Sequence, residues 1–229
     1  MYYYVVPDLK LILGWSPKCA CTTAKTAIFE ALGQEIVGNV HNDMLTNENL
    51  NSGLYGVYYF SAFKALGQLE LDSFRKFCII RNPYSRFISA IRQRSHALIK
   101  HSEFQTMNAG DYLQYLETNR FGTDHHFDPQ TKNLRQFSFD QVLDISQMSV
   151  FFDYLKVDYT GNQKFGSHST NYGVEEDMQE SSLLEIAKKR VFPRKIQAWL
   201  RDGDITRLRK IYSNDFTFAR SHNFDFELP

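Results

Sequence analysis

Short apolar runs that break into loops, and then into a 3.6-residue periodicity, set the rhythm of this chain. Residues 10–15 (KLILGW) are apolar and end in Gly-Trp-Ser-Pro, which predicts a buried strand entering a loop. In residues 22–32 (TTAKTAIFEAL), Ala24, Ala27, Ile28, Ala31 and Leu32 share one side. A hydroxyl residue opens that stretch and Gly33 closes it, so it reads as a helix. Residues 76–80 (KFCII) predict a second buried strand, followed by Asn82 as N-cap and Pro83 as the first helical residue. The helix from 84 to about 100 puts Tyr84, Phe87, Ile88 and Ile91 on a core face, and Ser85, Ser89 and Arg92 on another. Residues 55–66 and 72–76 read as helical, and 139–145 alternate as a third strand. Further helices are expected over 150–155, 181–190 and 204–216. No repeat or linker divides the chain, so one domain over 1–229 and an α/β layered fold are expected.

Composition narrows the function. Lys plus Arg and Asp plus Glu are both 26, and this balance argues against a protein that grips nucleic acid or a membrane surface mainly by charge. Nucleic acid and stable membrane insertion are therefore not expected, and oligomeric state is left open. No window of 18 apolar residues occurs, and the first residues lack the basic and apolar segments of a secretory signal, so a cytoplasmic location is expected. Three cysteines, Cys19, Cys21 and Cys78, make neither a disulfide framework nor a four-ligand zinc site.

Two strand-to-helix junctions carry the chemistry. Ser16-Pro17-Lys18-Cys19-Ala20-Cys21-Thr22-Thr23 leads into a helix N-terminus, where backbone N–H groups and the helix dipole favour an anion. Lys18 adds a mobile positive charge, and Thr22 and Thr23 add hydroxyl donors. The segment is not a Walker loop. In the frame from Gly14, Cys19 stands where the second glycine belongs and Ala20 where the lysine belongs. At the second junction, Arg81 leaves a strand end with a guanidinium fork suited to two phosphate oxygens, and Ser89 lies two turns into the helix. Lys25, Arg86 and Arg92 each read as nucleotide-lining, acceptor-lining or solvated, with Arg92 expected to be solvated. The adjacent His125 and His126 cannot share one face of a strand, and no further metal ligands accompany them.

Residues 17–23 (PKCACTT) resemble the 5′-phosphosulfate loop of the carbohydrate sulfotransferases, the Golgi-type branch with bacterial relatives. Residues 81–92 (RNPYSRFISAIR) are similar to that family's 3′-phosphate motif R-D-P-x-x-R-x-x-S-A-x-R, with Asn82 in place of the usual Asp. Residues 126–130 (HFDPQ), 167–171 (SHSTN) and 211–216 (IYSNDF) resemble three weaker family segments in the same order. Residues 144–148 (DISQM) depart from its Glu-Asn-Leu turn.

The resemblance implies a P-loop-like three-layer fold, with a central mainly parallel sheet flanked by helices. It implies 3′-phosphoadenosine-5′-phosphosulfate (PAPS) as co-substrate, a carbohydrate or glycoconjugate hydroxyl as acceptor, and no metal. Lys18 would stabilise the departing 5′-phosphate while Cys19, Ala20, Cys21, Thr22 and Thr23 hold its oxygens, and Arg81 and Ser89 would bind the 3′-phosphate. A base commonly lies between the two loops, and His41 is the histidine there, with Glu35 and Glu48 as fallback carboxylates. Arg86 and His126 are candidate acceptor-pocket residues. Two other readings stay open: a non-catalytic nucleotide-binding module of the same fold, and a kinase-like phosphotransferase.

Overall fold

The computed structural model describes residues 1–34, 58–60, 71–119, 124–132, 134, 138–158 and 176–229. They gather into two compact units, Met1–Ile80 with Gln130–Ser167 and Arg81–Pro129 with His168–Pro229. The strands are β1 (Tyr2–Val6), β2 (Leu11–Trp15), β3 (Tyr58–Phe60), β4 (Arg75–Ile80) and β5 (Gln141–Asp144). The helices are α1 (Cys21–Ala31), α2 (Pro83–Leu98), α3 (Ser102–Gln105), α4 (Ala109–Asn119), α5 (Met148–Leu155), α6 (Leu183–Lys188), α7 (Asp202–Ile211) and α8 (Ser213–Ser221). None of the described helices is long and apolar enough to cross a membrane.

The first unit is a five-stranded sheet in the order β3-β1-β2-β4-β5. β2 is parallel to β4 and β4 to β5, while β1 is antiparallel to both its neighbours. Four strands thus point one way, and the mainly parallel sheet that the family resemblance implied is present. Because β2 and β4 pair in parallel, with Gly14 opposite Cys78, their C-terminal ends leave the sheet at one edge. The two junctions singled out in the sequence follow these strands in the chain.

Period-2 alternation puts Tyr4, Leu13, Trp15, Phe77, Ile79 and Leu143 on one face. There they pack with Ala24, Ala27, Ile28 and Phe29 of α1 and with Phe151 and Phe152 of α5. Each large apolar side chain so buried contributes roughly 1.5–3 kcal/mol. The alanines of α1 let the helix lie close to the sheet. Gly14 has a packing role: a Cβ there would fall 2.8 Å from the Phe139 ring.

The second unit is helical. Asn82 caps α2, its Oδ1 accepting from the Tyr84 N–H at 3.0 Å, and Pro83 opens the helix, as the sequence predicted. α2 buries Tyr84, Phe87, Ile88 and Ile91, as expected, in one core with Tyr112, Leu113, Phe127 and Trp199. It packs against α6 and the turn Ile196–Ala198, while α4 packs against α7.

Several sequence expectations are corrected. Residues 58–60 are a strand, not part of a helix over 55–66, because they pair with β1; the rest of that stretch lies outside the described residues. Residues 72–76 are not a helix: a 3-10 turn at Leu71–Ser73 gives way to β4, held by the pairing of Arg75 with Leu11. The single helix over 204–216 is two helices that meet at Tyr212, whose hydroxyl is held by Phe127 O. β1 and α4 were not anticipated.

Candidate active site

β2 ends at Trp15 and α1 begins at Cys21, so five residues make the turn between them. Lys18 (φ 71°) and Ala20 (φ 51°) adopt the left-handed conformation. A residue with a Cβ pays roughly 1–2 kcal/mol for that conformation, so the surroundings must impose it. Gln130 does much of the imposing. Its side-chain Oε1 accepts the buried Cys19 thiol at 2.9 Å, and its backbone carbonyl accepts the Ser16 hydroxyl at 3.1 Å. The Cys19 N–H closes the turn onto Ser16 O at 3.1 Å. Cys19 therefore shapes the loop from within, and its N–H is engaged in that turn.

The first helical bond runs from Ala24 N–H to Ala20 O, and the N-cap residue, Ala20, makes no side-chain cap bond. The N–H groups of Cys21, Thr22 and Thr23 lie ahead of that bond, at the positive end of the helix dipole, beside a half-buried Lys18. This arrangement suits a phosphate or sulfate oxyanion. One turn further on, Lys25 is 3% exposed. Its ammonium sits 5.2 Å from the centroids of both Tyr4 and Trp15. Burial pushes its pKa below a lysine's ordinary range, with Cys21 pulling the other way. Lys25 is thus an interior cation that supports α1, not a solvated charge.

Arg81 and Ser89 are both half-buried. Asn82, which replaces the family's aspartate, uses both ends of its amide: beyond the cap, its Nδ2 donates to Glu227 O at 2.7 Å. An aspartate has no donor for that second bond. Arg92 is half-buried with its guanidinium 4.3 Å from the Phe192 ring centroid, so the expectation of a solvated charge is corrected. Arg86 is 1% exposed, and its Nη2 donates to His126 O at 3.2 Å.

That bond is one of several that fix the turn at 124–127. The Asp124 Oδ1 accepts from the His126 N–H at 2.9 Å and lies 2.6 Å from His126 Nδ1. Its Oδ2 accepts from Arg94 Nε at 2.5 Å. The buried Tyr212 hydroxyl donates to Phe127 O at 2.6 Å, and burial drives its pKa well above the phenol range. For Asp124, burial opposes the charged form. Hydrogen bonds from the His126 ring and backbone and from Arg94 outweigh it and hold the carboxyl well below its usual range. His125 and His126 lie in a turn with ring centroids 4.3 Å apart, so the argument made for a strand does not apply to them. With Asp124 they form a three-donor cluster. Both oxygens of that carboxylate are already committed, one of them to a guanidinium, which disfavours a cation there.

The predicted residues thus divide. Lys18, Cys19, Ala20, Cys21, Thr22 and Thr23 share one loop, and Arg86 and His126 meet through the 124–127 turn. His41, Glu35, Glu48 and the 167–171 segment lie outside the described residues. Gln130, Asp124 and Arg94 had no assigned role. Gln130 stood in a quoted motif, and Asp124 sits two positions before His126, so both left a signal in the chain.

The family model described as the sulfotransferase family matches residues 1–218. No curated protein and no solved structure matches the chain.

Proposed function

The chain belongs to the sulfotransferase family, and we propose that it transfers a sulfuryl group from PAPS to a hydroxyl of a carbohydrate or glycoconjugate acceptor. The observation that carries this reading is the β2–α1 turn. Lys18 and Ala20 are held left-handed there, and the N-terminus of α1 that follows begins at Ala20 without a side-chain cap from that residue. The proposal treats residues 1–229 as one sulfotransferase domain, since the family match runs through both compact units.

In this reading the Cys21, Thr22 and Thr23 N–H groups, with Ala20, take the non-bridging oxygens of the 5′-phosphosulfate, and the Cys19 bonds hold their geometry. Lys18 places its charge on the oxygen that bridges sulfur and phosphorus, where negative charge grows as the S–O bond breaks. Arg81 and Ser89 take the 3′-phosphate, which separates PAPS from ordinary adenine nucleotides. The acceptor oxygen forms the new O–S bond in line with the departing adenosine 3′,5′-bisphosphate, and a histidine takes the hydroxyl proton. His41 is the histidine that the sequence supplies. No metal ion is assigned a role.

The test is release of adenosine 3′,5′-bisphosphate from PAPS in the presence of unsulfated polysaccharides and simple glycosides. Acceptor-dependent release that survives a chelator is expected, with Lys18→Ala losing about 100–1000-fold in kcat. Magnesium-dependent ATP turnover with no use of PAPS would point to phosphoryl transfer instead.

A further inference from the structure

Residues 224–229 are tied to the junction that opens α2. α8 ends where Asn223 turns left-handed (φ 66°) and the Phe224 N–H returns to Ala219 O at 3.0 Å, which stops the helix and redirects the chain. The Tyr84 ring, in the first turn of α2, lies 5.1 Å from that of Phe216, and this contact sets α8 beside that turn. The residues after α8 are thereby delivered to Asn82 and fastened within the helical unit. Phe226 packs against its core, the Asn82 Nδ2 donates to Glu227 O at 2.7 Å, and the Ile196 N–H donates to Pro229 O at 3.3 Å. The Asn82 amide is held at both ends, since its Oδ1 accepts from the Tyr84 N–H at 3.0 Å. Asn82 stands between the half-buried Arg81 and Pro83, whose ring fixes the start of α2. Two peculiarities of this chain meet in the contact. The family's motif has an aspartate at position 82, which has no donor to offer a carbonyl. Residues 224–229 lie past the stretch that the sulfotransferase family model matches, 1–218.

We propose that residues 224–229 are a strap that holds the Arg81–Asn82 junction in place for a 3′-phosphate, with Asn82 as the positioning residue and Phe226 as the anchor of the strap. The inference rests on the reading above in which Arg81 takes the 3′-phosphate of PAPS. A guanidinium that must meet two phosphate oxygens at once is sensitive to the direction in which its backbone leaves the strand. The cap bond to Tyr84 fixes only the helix side of the junction. The bond to Glu227 O adds a tether from outside the helix. Asn82, and with it the Arg81 backbone, therefore has less freedom to lose when a phosphate binds. Phe226 and Glu227 act through Arg81 and not by touching the nucleotide, so the strap bears on the 3′-phosphate and not on the remainder of the molecule.

The experiment uses the full chain with Asn82→Ser, which keeps a capping hydroxyl and loses the Nδ2 donor, and with Phe226→Ser. Each is made alone, the two are combined, and Asn82→Ser is also combined with Arg81→Ala. Calorimetry compares adenosine 3′,5′-bisphosphate with AMP, and hydrogen exchange at the Ile196 amide, read by NMR, reports whether the strap is docked. Faster Ile196 exchange is expected in both single variants. Each should also lose about 2–10-fold in affinity for the bisphosphate, the range of one net hydrogen bond. AMP binding should be retained, which shows in addition that the variants are folded. The combined variant should lose no more than the weaker-binding single one, because both release the same strap. Asn82→Ser should cost nothing further once Arg81 is alanine. Three results each overturn the strap alone: faster Ile196 exchange with unchanged bisphosphate affinity, equal losses for both nucleotides, or an Ile196 amide as protected in Asn82→Ser as in the wild type. A wild-type chain that binds the bisphosphate no more tightly than AMP overturns the reading of Arg81 on which the strap rests, whatever the Ile196 amide shows.

Discussion

Gln130 and Asp124 show how much of this protein's chemistry rests on buried acceptors. Gln130 is 3% exposed, and it spends its side-chain oxygen on a thiol and its carbonyl on a hydroxyl, both in the turn that carries Lys18. Gln130→Ala leaves the Cys19 thiol facing a cavity and should cost about 1–3 kcal/mol in urea denaturation, with weaker binding of adenosine 3′,5′-bisphosphate. Unchanged stability would show that the left-handed turn holds itself. Asp124 makes a pH-dependent contribution. Its folded-state pKa lies below the unfolded one, so in acid the unfolded chain takes up the proton first. Stability from this group is therefore complete above about pH 4 and drains as the pH falls toward the folded value. The stability gap between wild type and Asp124→Asn should narrow in acid denaturation series; a gap that stays constant from neutral pH to pH 3 would contradict this account.

At the scale of elements, the junction at Asn82 is the clearest case of a local signal read correctly. Asn-Pro before an apolar-periodic run specifies a cap and a first turn whatever the rest of the chain does, and α2 begins there. Asn82→Ala removes the cap and should cost about 1 kcal/mol in thermal or urea melts. Asn82→Asp keeps the cap acceptor but loses the donor to Glu227 O, so residues 224–229 should be cleaved faster by carboxypeptidase while α2 stays intact. β2 and the Phe77–Ile80 part of β4 were legible because they are unbroken apolar runs buried on both faces. β1, rich in Tyr and Val, carried an equally good strand signal that the Pro7 boundary obscured. α4 had its periodicity in Tyr112, Leu113 and Leu116. β3 was not legible. Its three residues become a strand by pairing with β1, a contact made about fifty positions away that no local pattern encodes.

At the scale of the whole molecule, the loop composition announced an anion site, but its supports are long-range. Cys19 meets Gln130 across 111 positions, Arg86 meets His126 across 40, and Arg94 meets Asp124 across 30. A side chain's type says that it can form such a bond, and only the fold says with which partner. Arg86 illustrates this. Its place in the motif suggested a ligand contact, and its burial makes it a brace for the His126 carbonyl. Sulfotransfer follows from family membership over residues 1–218, while the division of labour among Lys18, Arg81 and Ser89 is the account's own.

Calorimetric titration with adenosine 3′,5′-bisphosphate, and with AMP as its 3′-dephosphorylated counterpart, tests that division most directly. The bisphosphate should bind more tightly than AMP in the wild type. Arg81→Ala should lose about 2–4 kcal/mol for the bisphosphate and little for AMP, whereas Lys18→Ala should weaken both. Equal affinity for the two nucleotides, with Arg81→Ala indistinguishable from wild type, would contradict the claim that these two loops serve opposite ends of one PAPS molecule.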